Sequence, residues 1–172
     1  MEEMRIWNKP VTMKDVEPPR LEHMGDYVYT MAAAGIELVR CENVGEKLYL
    51  PEQISARRVT ALGAGMLSNC ERLRDAVLPR SLRRIGDYAF FQCGNLEEVH
   101  MSADVKEIGD HAFSGCAKLR NLYVPPTVES IGEGAFDGIE NLILIGEENS
   151  AAHRYAREHG VPFTAASDPY AA

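Results

Sequence analysis

Four cysteines and five histidines are the side chains of this 172-residue sequence best suited to chemistry. Three of the cysteines, Cys70, Cys93 and Cys116, stand 23 residues apart. Such sulfurs come within disulfide reach if successive segments stack at one strand spacing, about 4.8 Å. Thiolates also hold zinc, but zinc sites draw on close Cys-X2–4-Cys pairs, and none occurs here. The next member of the series is Ile139. The position therefore asks for a small buried hydrophobe, a role that free cysteine commonly fills, and a disulfide stays as the alternative. Cys41 lies outside the series.

The histidines are His23, His100, His111, His153 and His159, and none is close in sequence to a pair of metal ligands. The sequence contains no Gly-X-Ser-X-Gly nucleophile turn, no Gly-X4-Gly-Lys-Ser/Thr phosphate loop and no His-Glu-X-X-His pair. The expectation is a protein that is not an enzyme, with no catalytic residues, no cofactor and no metal.

The interval of 23 residues carries far more than cysteine. Leu73–Asn95, Leu96–Lys118 and Leu119–Asn141 superpose without gaps. Ile85-Gly86, Ile108-Gly109 and Ile131-Gly132 coincide, as do Ala89-Phe90, Ala112-Phe113 and Ala135-Phe136. An earlier unit joins at Leu62-Gly63, Leu67 and Cys70, with an insertion within Glu52–Arg58. A fixed period of this size means that each unit is one supersecondary element whose apolar side is covered only by its neighbours. Short strands such as Ala76-Val77-Leu78 and Leu122-Tyr123-Val124 end at Pro79 and Pro125, and Leu82–Ile85 makes a second extended piece. Gly86–Cys93 reads as a helical or 3₁₀ turn. Equivalent apolar residues should pile into columns, with Phe90, Phe113 and Phe136 in one of them.

Leu-Pro-X-X-Leu-X-X-Ile-Gly-X-X-Ala-Phe-X-X-Cys, here Leu78–Cys93, resembles the BspA-like class of leucine-rich repeat, common in bacterial proteins. The departures are small: Met101-Ser102 replaces Leu-Pro in one unit, and Ile139 replaces Cys in another. Residues 27–63 are similar to the family's usual first turn, and Asn141–Gly146, a helix and Gly160–Phe163 to its close. The resemblance implies an α+β repeat fold, a short leucine-rich-repeat solenoid of 23-residue units. It also implies binding of proteins or cell-surface ligands, as many members do.

Both ends depart from the repeat, as the ends of a solenoid must. Asp26–Thr30 and Ile36–Arg40 alternate around Gly35, giving an N-terminal β-hairpin cap. Ser150 is placed to cap a helix over Ala151–His159 that turns Ala152, Tyr155 and Ala156 to one side, giving a C-terminal helical cap. Residues 1–26, with Trp7 among several prolines, read as an extended arm, residues 27–163 as the repeat domain and residues 164–172 as a flexible tail.

Outward strand positions form rows: Arg74, Glu97 and Arg120; Asp75, Glu98 and Asn121; Val77, His100 and Tyr123. Asp75, Glu98, His100, Asn121 and Tyr123 are the candidate partner-binding residues, a polar and aromatic surface for a protein ligand. Arg57, Arg58, Arg80, Arg83, Arg84 and Lys106 form a separate basic group interrupted by Asp104, Glu107 and Glu129. The formal net charge of −8 argues against a nonspecific partner in nucleic acid or anionic membrane. No apolar run approaches the roughly 20 residues that span a bilayer, and the first residues lack secretory-signal architecture. The expected address is the cytoplasm, or the cell surface or exterior if a leader has been removed. The expected function is a noncatalytic protein-protein interaction module, the alternative an oligomeric structural or adhesion unit joined through the arm.

Overall fold

Two strands per unit, separated by tight turns, set the path of the chain. The structure is a computed structural model that describes residues 19–169; the reading of the Trp7 arm lies outside them. The chain opens with β1 (Leu21–Met24), β2 (Tyr27–Ala32) and β3 (Gly35–Cys41). A first coil contains β4 (Lys47–Tyr49), β5 (Gln53–Ile54) and β6 (Arg57–Leu62). Each following coil adds a pair: β7 (Asp75–Val77) with β8 (Arg84–Ile85), β9 (Glu98–His100) with β10 (Glu107–Ile108), and β11 (Asn121–Tyr123) with β12 (Ser130–Ile131). Then come β13 (Ile143–Gly146), helix α1 (Ala151–His159) and β14 (Phe163–Ala165).

The coils stack in parallel and make three walls. One wall is the sheet β1-β2-β3-β6-β8-β10-β12, to which β5 adds by pairing with β6. A second carries two three-stranded sheets, β4-β7-β9 and β11-β13-β14. The third is built of turns. The turn N–H groups of Tyr88, Phe90 and Gln92 donate to the carbonyls of Asp110, Ala112 and Ser114 at 2.7–2.9 Å, and His111, Phe113 and Gly115 repeat the pattern on Glu133, Ala135 and Asp137. Buried backbone polar groups must be paired, and here the pairing runs from coil to coil on the turn side as well as on the strand sides.

That wall differs from the helical or 3₁₀ turn expected from the sequence. The local bonds are single i→i−3 turns, such as Ala89 to Gly86 and Phe91 to Tyr88. Left-handed residues interrupt them in two columns: Gly65, Tyr88, His111 and Gly134, then Asn69, Gln92, Gly115 and Gly138. A left-handed residue stops helix propagation. It also turns alternate N–H groups toward the next coil.

The core is the set of columns that the period implies. Leu73, Leu96, Leu119 and Leu142 are buried one above another, as are Leu67, Phe90, Phe113 and Phe136. Phe90 and Phe113 stack at 4.9 Å and 7°, and Phe113 and Phe136 at 5.7 Å and 17°. Each large side chain removed from water contributes roughly 1.5–3 kcal/mol. Close stacking needs close backbones: a Cβ on Gly109 would stand 2.6 Å from the Asp87 nitrogen one coil below. Gly86 and Gly132 are under the same restriction, with the nearest atom at 2.5 Å or less in each case.

The ends are closed as the sequence implies, with additions. β2 and β3 form an antiparallel hairpin, and β3 runs parallel to β6, covering the first coil. β1 pairs antiparallel with β2, so Leu21–Met24, assigned from the sequence to the arm, extends the cap sheet. The insertion within Glu52–Arg58 is a second hairpin, β5 on β6, whose two turn residues, Ser55 and Ala56, both have positive φ. That is the backbone of a type I′ turn. At the other end Ser150 accepts the His153 N–H at 3.3 Å and Gly160 ends α1 in the left-handed region. Tyr155 meets Phe136 edge to face at 5.3 Å, terminating the aromatic column. β14 pairs with β13 through Ala165, and the Ala166 N–H reaches the Gly146 carbonyl at 2.9 Å. The segment assigned to a flexible tail is thus hydrogen-bonded at its start.

Candidate functional site

Strands β4, β7 and β9 hold the outward residues in register. Lys47, Asp75 and Glu98 form one row, and Tyr49, Val77 and His100 another. The intervening Leu48, Ala76 and Val99 point inward and are buried. Side chains alternate across a strand, so the apolar column fixes the outer rows.

The first two rows converge on His100. Its Nε2 lies 3.2 Å from Asp75 Oδ1 and 3.4 Å from Glu98 Oε2. Asp75 Oδ1 is itself buried and accepts no hydrogen bond. The other oxygen, Oδ2, faces Lys47 Nζ at 3.8 Å. All three groups offer an atom of metal-ligating type, and these atoms lie within 4.8 Å of one another. The charged row beside them pairs internally, with Arg74 and Glu97 at 3.8 Å.

His100 also stands between two depressions. One, of about 660 Å³, is lined by Glu97, Glu98, His100, Lys118, Arg120 and Asn121. It follows the seam where β9 and β11 adjoin without pairing, among the described residues. The other, of about 540 Å³, is lined by Glu52, Val77, Arg80, His100, Asp104 and Asp168 among others. The structure therefore brings Asp75, Glu98, His100 and Asn121 together on one open surface. Tyr123 does not share that surface. It is only 5% exposed, and burial raises its phenol pKa, with the nearby Asp168 and Glu147 carboxylates adding to the effect.

An aromatic group that sequence reasoning missed heads the same row. Tyr49 is 66% exposed and in register with Val77 and His100. It escapes a strict 23-residue period because the β5–β6 hairpin lengthens the first coil. Leu48-Tyr49-Leu50-Pro51 matches Ala76-Val77-Leu78-Pro79 once that insertion is allowed for.

The other sequence candidates resolve differently. The basic group is interleaved with acids: Arg84 pairs with Glu37, and Lys106 lies 3.7 Å from Glu129. All four cysteines are free thiols. Cys93 Sγ donates to the Leu67 carbonyl at 3.0 Å and Cys116 Sγ to the Phe90 carbonyl at 3.1 Å. The thiols thus serve as donors between coils as well as small hydrophobes. A hydrogen bond with Cys70 raises the Cys93 pKa, with burial adding to it, and the same contact lowers that of Cys70. Burial pushes the Cys116 thiol up to about 12.

Among solved structures, a T. pallidum leucine-rich repeat protein is 26% identical, with a TM-score of 0.60 over 70% of this chain and 68% of that one. A leucine-rich repeat protein from Bacteroides capillosus matches at 21% identity and a TM-score of 0.67, over 74% of this chain and 98% of its own. A leucine-rich cell surface protein from Faecalibacterium prausnitzii matches at 20% identity and a TM-score of 0.60, over 77% of this chain and 46% of that protein. No curated protein matches the chain significantly. Residues 46–151 match the BspA-type leucine-rich repeat region in six copies. The periodic columns, the glycine-dependent stacking and this match place the chain in the BspA-type leucine-rich repeat family.

Proposed function

We propose that the chain is a noncatalytic protein-protein interaction module whose binding surface is the outer face of β4, β7 and β9 together with the seam to β11. The observation that carries this reading is the row of Tyr49 and His100, flanked by Asp75, Glu98 and Asn121, on a sheet held rigid by its hydrogen-bonded stack. A fixed backbone lowers the ordering cost of binding, and a few aromatic and charged anchors supply most of the affinity. The ligand is a protein that fills the two depressions beside His100. The sequence expectation included Tyr123 in this surface; its burial leaves it a supporting role. The test is quantitative capture from an extract of the source organism by the intact chain, by Tyr49→Ala/His100→Ala, and by Glu129→Ala on another wall. The first variant loses at least tenfold in captured partner and the second none. Undiminished capture by the first removes this surface from consideration.

The second reading is an oligomeric structural or cell-surface adhesion unit. The F. prausnitzii protein described as cell-surface favours it, as does the exposed edge of the cap sheet with Leu21, Met24 and Met31. No helix among the described residues is long and apolar enough to cross a membrane. Light scattering on the full chain and on a chain lacking residues 1–18 separates the readings: loss of oligomers on truncation supports adhesion through the arm, and a monomer in both cases removes it. Fractionation of the source cells decides between cytoplasm and surface.

A further inference from the structure

We propose that Asp75, Glu98 and His100 form a binding site for a divalent first-row transition metal, with zinc as the type ion. Metal binding at these residues does not require the protein ligand proposed above. An imidazole nitrogen and two carboxylate oxygens are a donor set that suits zinc and its neighbours. Calcium takes six to eight oxygens and magnesium keeps mostly water and oxygen, so neither fits a site with one imidazole and two carboxylates.

Geometry narrows it further. A tetrahedral zinc with bonds of about 2.0–2.1 Å sets its ligand atoms roughly 3.3 Å apart. His100 Nε2 stands 3.2 Å from Asp75 Oδ1 and 3.4 Å from Glu98 Oε2. Two edges of the coordination polyhedron are therefore present. All three atoms fall within 4.8 Å, and the third edge closes by rotation of Glu98, whose side chain is 66% exposed. Asp75 and His100 are more restrained, their side chains 18% and 29% exposed.

The environment of Asp75 Oδ1 points the same way. A buried carboxylate oxygen needs a compensating partner; this one makes no aligned hydrogen bond and faces the His100 imidazole at 3.2 Å, so a cation shared by the two would compensate it. Its partner Oδ2 faces Lys47 at 3.8 Å, an outer contact that would steady the carboxylate during monodentate coordination. The open side toward the β9–β11 depression leaves room for water or a partner side chain as fourth ligand. Glu98 and His100 stand two residues apart on β9, and Asp75 joins them from the adjacent coil through strand register.

The test is calorimetric titration of the full chain with zinc, paired with visible absorption on cobalt substitution. The expected result is one ion per chain, a four-coordinate cobalt spectrum without thiolate charge-transfer bands, and at least a tenfold loss of affinity in His100→Gln and Asp75→Asn. Glu98→Gln, at an exposed position, weakens binding while leaving the fold intact by circular dichroism, so a misfolded Asp75 variant does not obscure the answer. Absence of saturable binding overturns the proposal. So does binding that survives the His100 and Glu98 substitutions or carries thiolate bands, since the ion would then sit on cysteine.

Discussion

The Asp87 carboxylate accepts the backbone N–H of Asp110, one coil later, at 2.9 Å. Asp110 does the same for Glu133 at 2.8 Å. Two coils therefore use a side chain to satisfy the next coil's backbone, much as a helix cap does, and a hydrogen bond to a charged acceptor contributes roughly 1.5–3 kcal/mol. Asp110→Ala should lower the unfolding free energy by about 1–2 kcal/mol in urea titration, while Asp110→Asn, which keeps an acceptor, should lose less than half of that. Equal losses would mean that the side chain acts through charge alone.

Gln92 is an exposed non-glycine residue at φ 58° in a column otherwise held by Asn69, Gly115 and Gly138. A left-handed backbone costs an ordinary L-residue roughly 1–2 kcal/mol, offset for glycine by its greater unfolded-state entropy. Gln92→Gly and Gln92→Asn should therefore stabilise the chain by a few tenths to about 1 kcal/mol, seen as a higher thermal midpoint. A lower midpoint in both would show that the Gln92 side chain, packed over Gly115, contributes more than its backbone costs.

Thiol behaviour should separate the cysteines. Cys70 is half-buried with a lowered pKa, whereas Cys93 and Cys116 are fully buried with raised ones. Iodoacetamide should label Cys70 first, and Cys93 and Cys116 only on unfolding, as read by mass spectrometry. Cys116 keeps its proton to about 12 when folded against an ordinary value of 9.0. Its contribution to stability is thus complete below pH 9 and is lost as pH rises toward 12. Urea midpoints should fall over that window, and less steeply in Cys116→Ala; parallel slopes would contradict the shift.

The architecture was legible because stacking demands repetition: Phe90, Phe113 and Phe136, or Gly86, Gly109 and Gly132, recur where each coil touches the next. Backbone handedness was harder to see. Tyr88 and His111 do not look like left-handed residues, but Gly65 and Gly134 bracket them in the same column and carried the signal. The hairpin inside the first coil hid Tyr49 by shifting its register, and the acceptor role of Asp87 and Asp110 has no marker beyond the repeated carboxylate. The candidate face was partly legible, since alternation put Glu98 and His100 outside. The burial of Tyr123 depends on β13, β14 and residues after them, far along the chain. The period put Asp75 and Glu98 in one row beside His100, but the approach of both carboxylates to His100 Nε2 depends on side-chain conformation, which spacing along one sequence does not convey.

Rings of adjacent coils pack directly on one another, and the rigidity of the outer face depends on that packing. A double-mutant cycle on urea unfolding, using Phe→Leu at 90, 113 and 136, measures this. The prediction is a coupling of about 0.5–1.5 kcal/mol between Phe90 and Phe113, and additivity within about 0.5 kcal/mol between Phe90 and Phe136, two coils apart. Additivity for Phe90 and Phe113 would contradict the stacked column, and with it the rigid outer face on which the binding proposal stands.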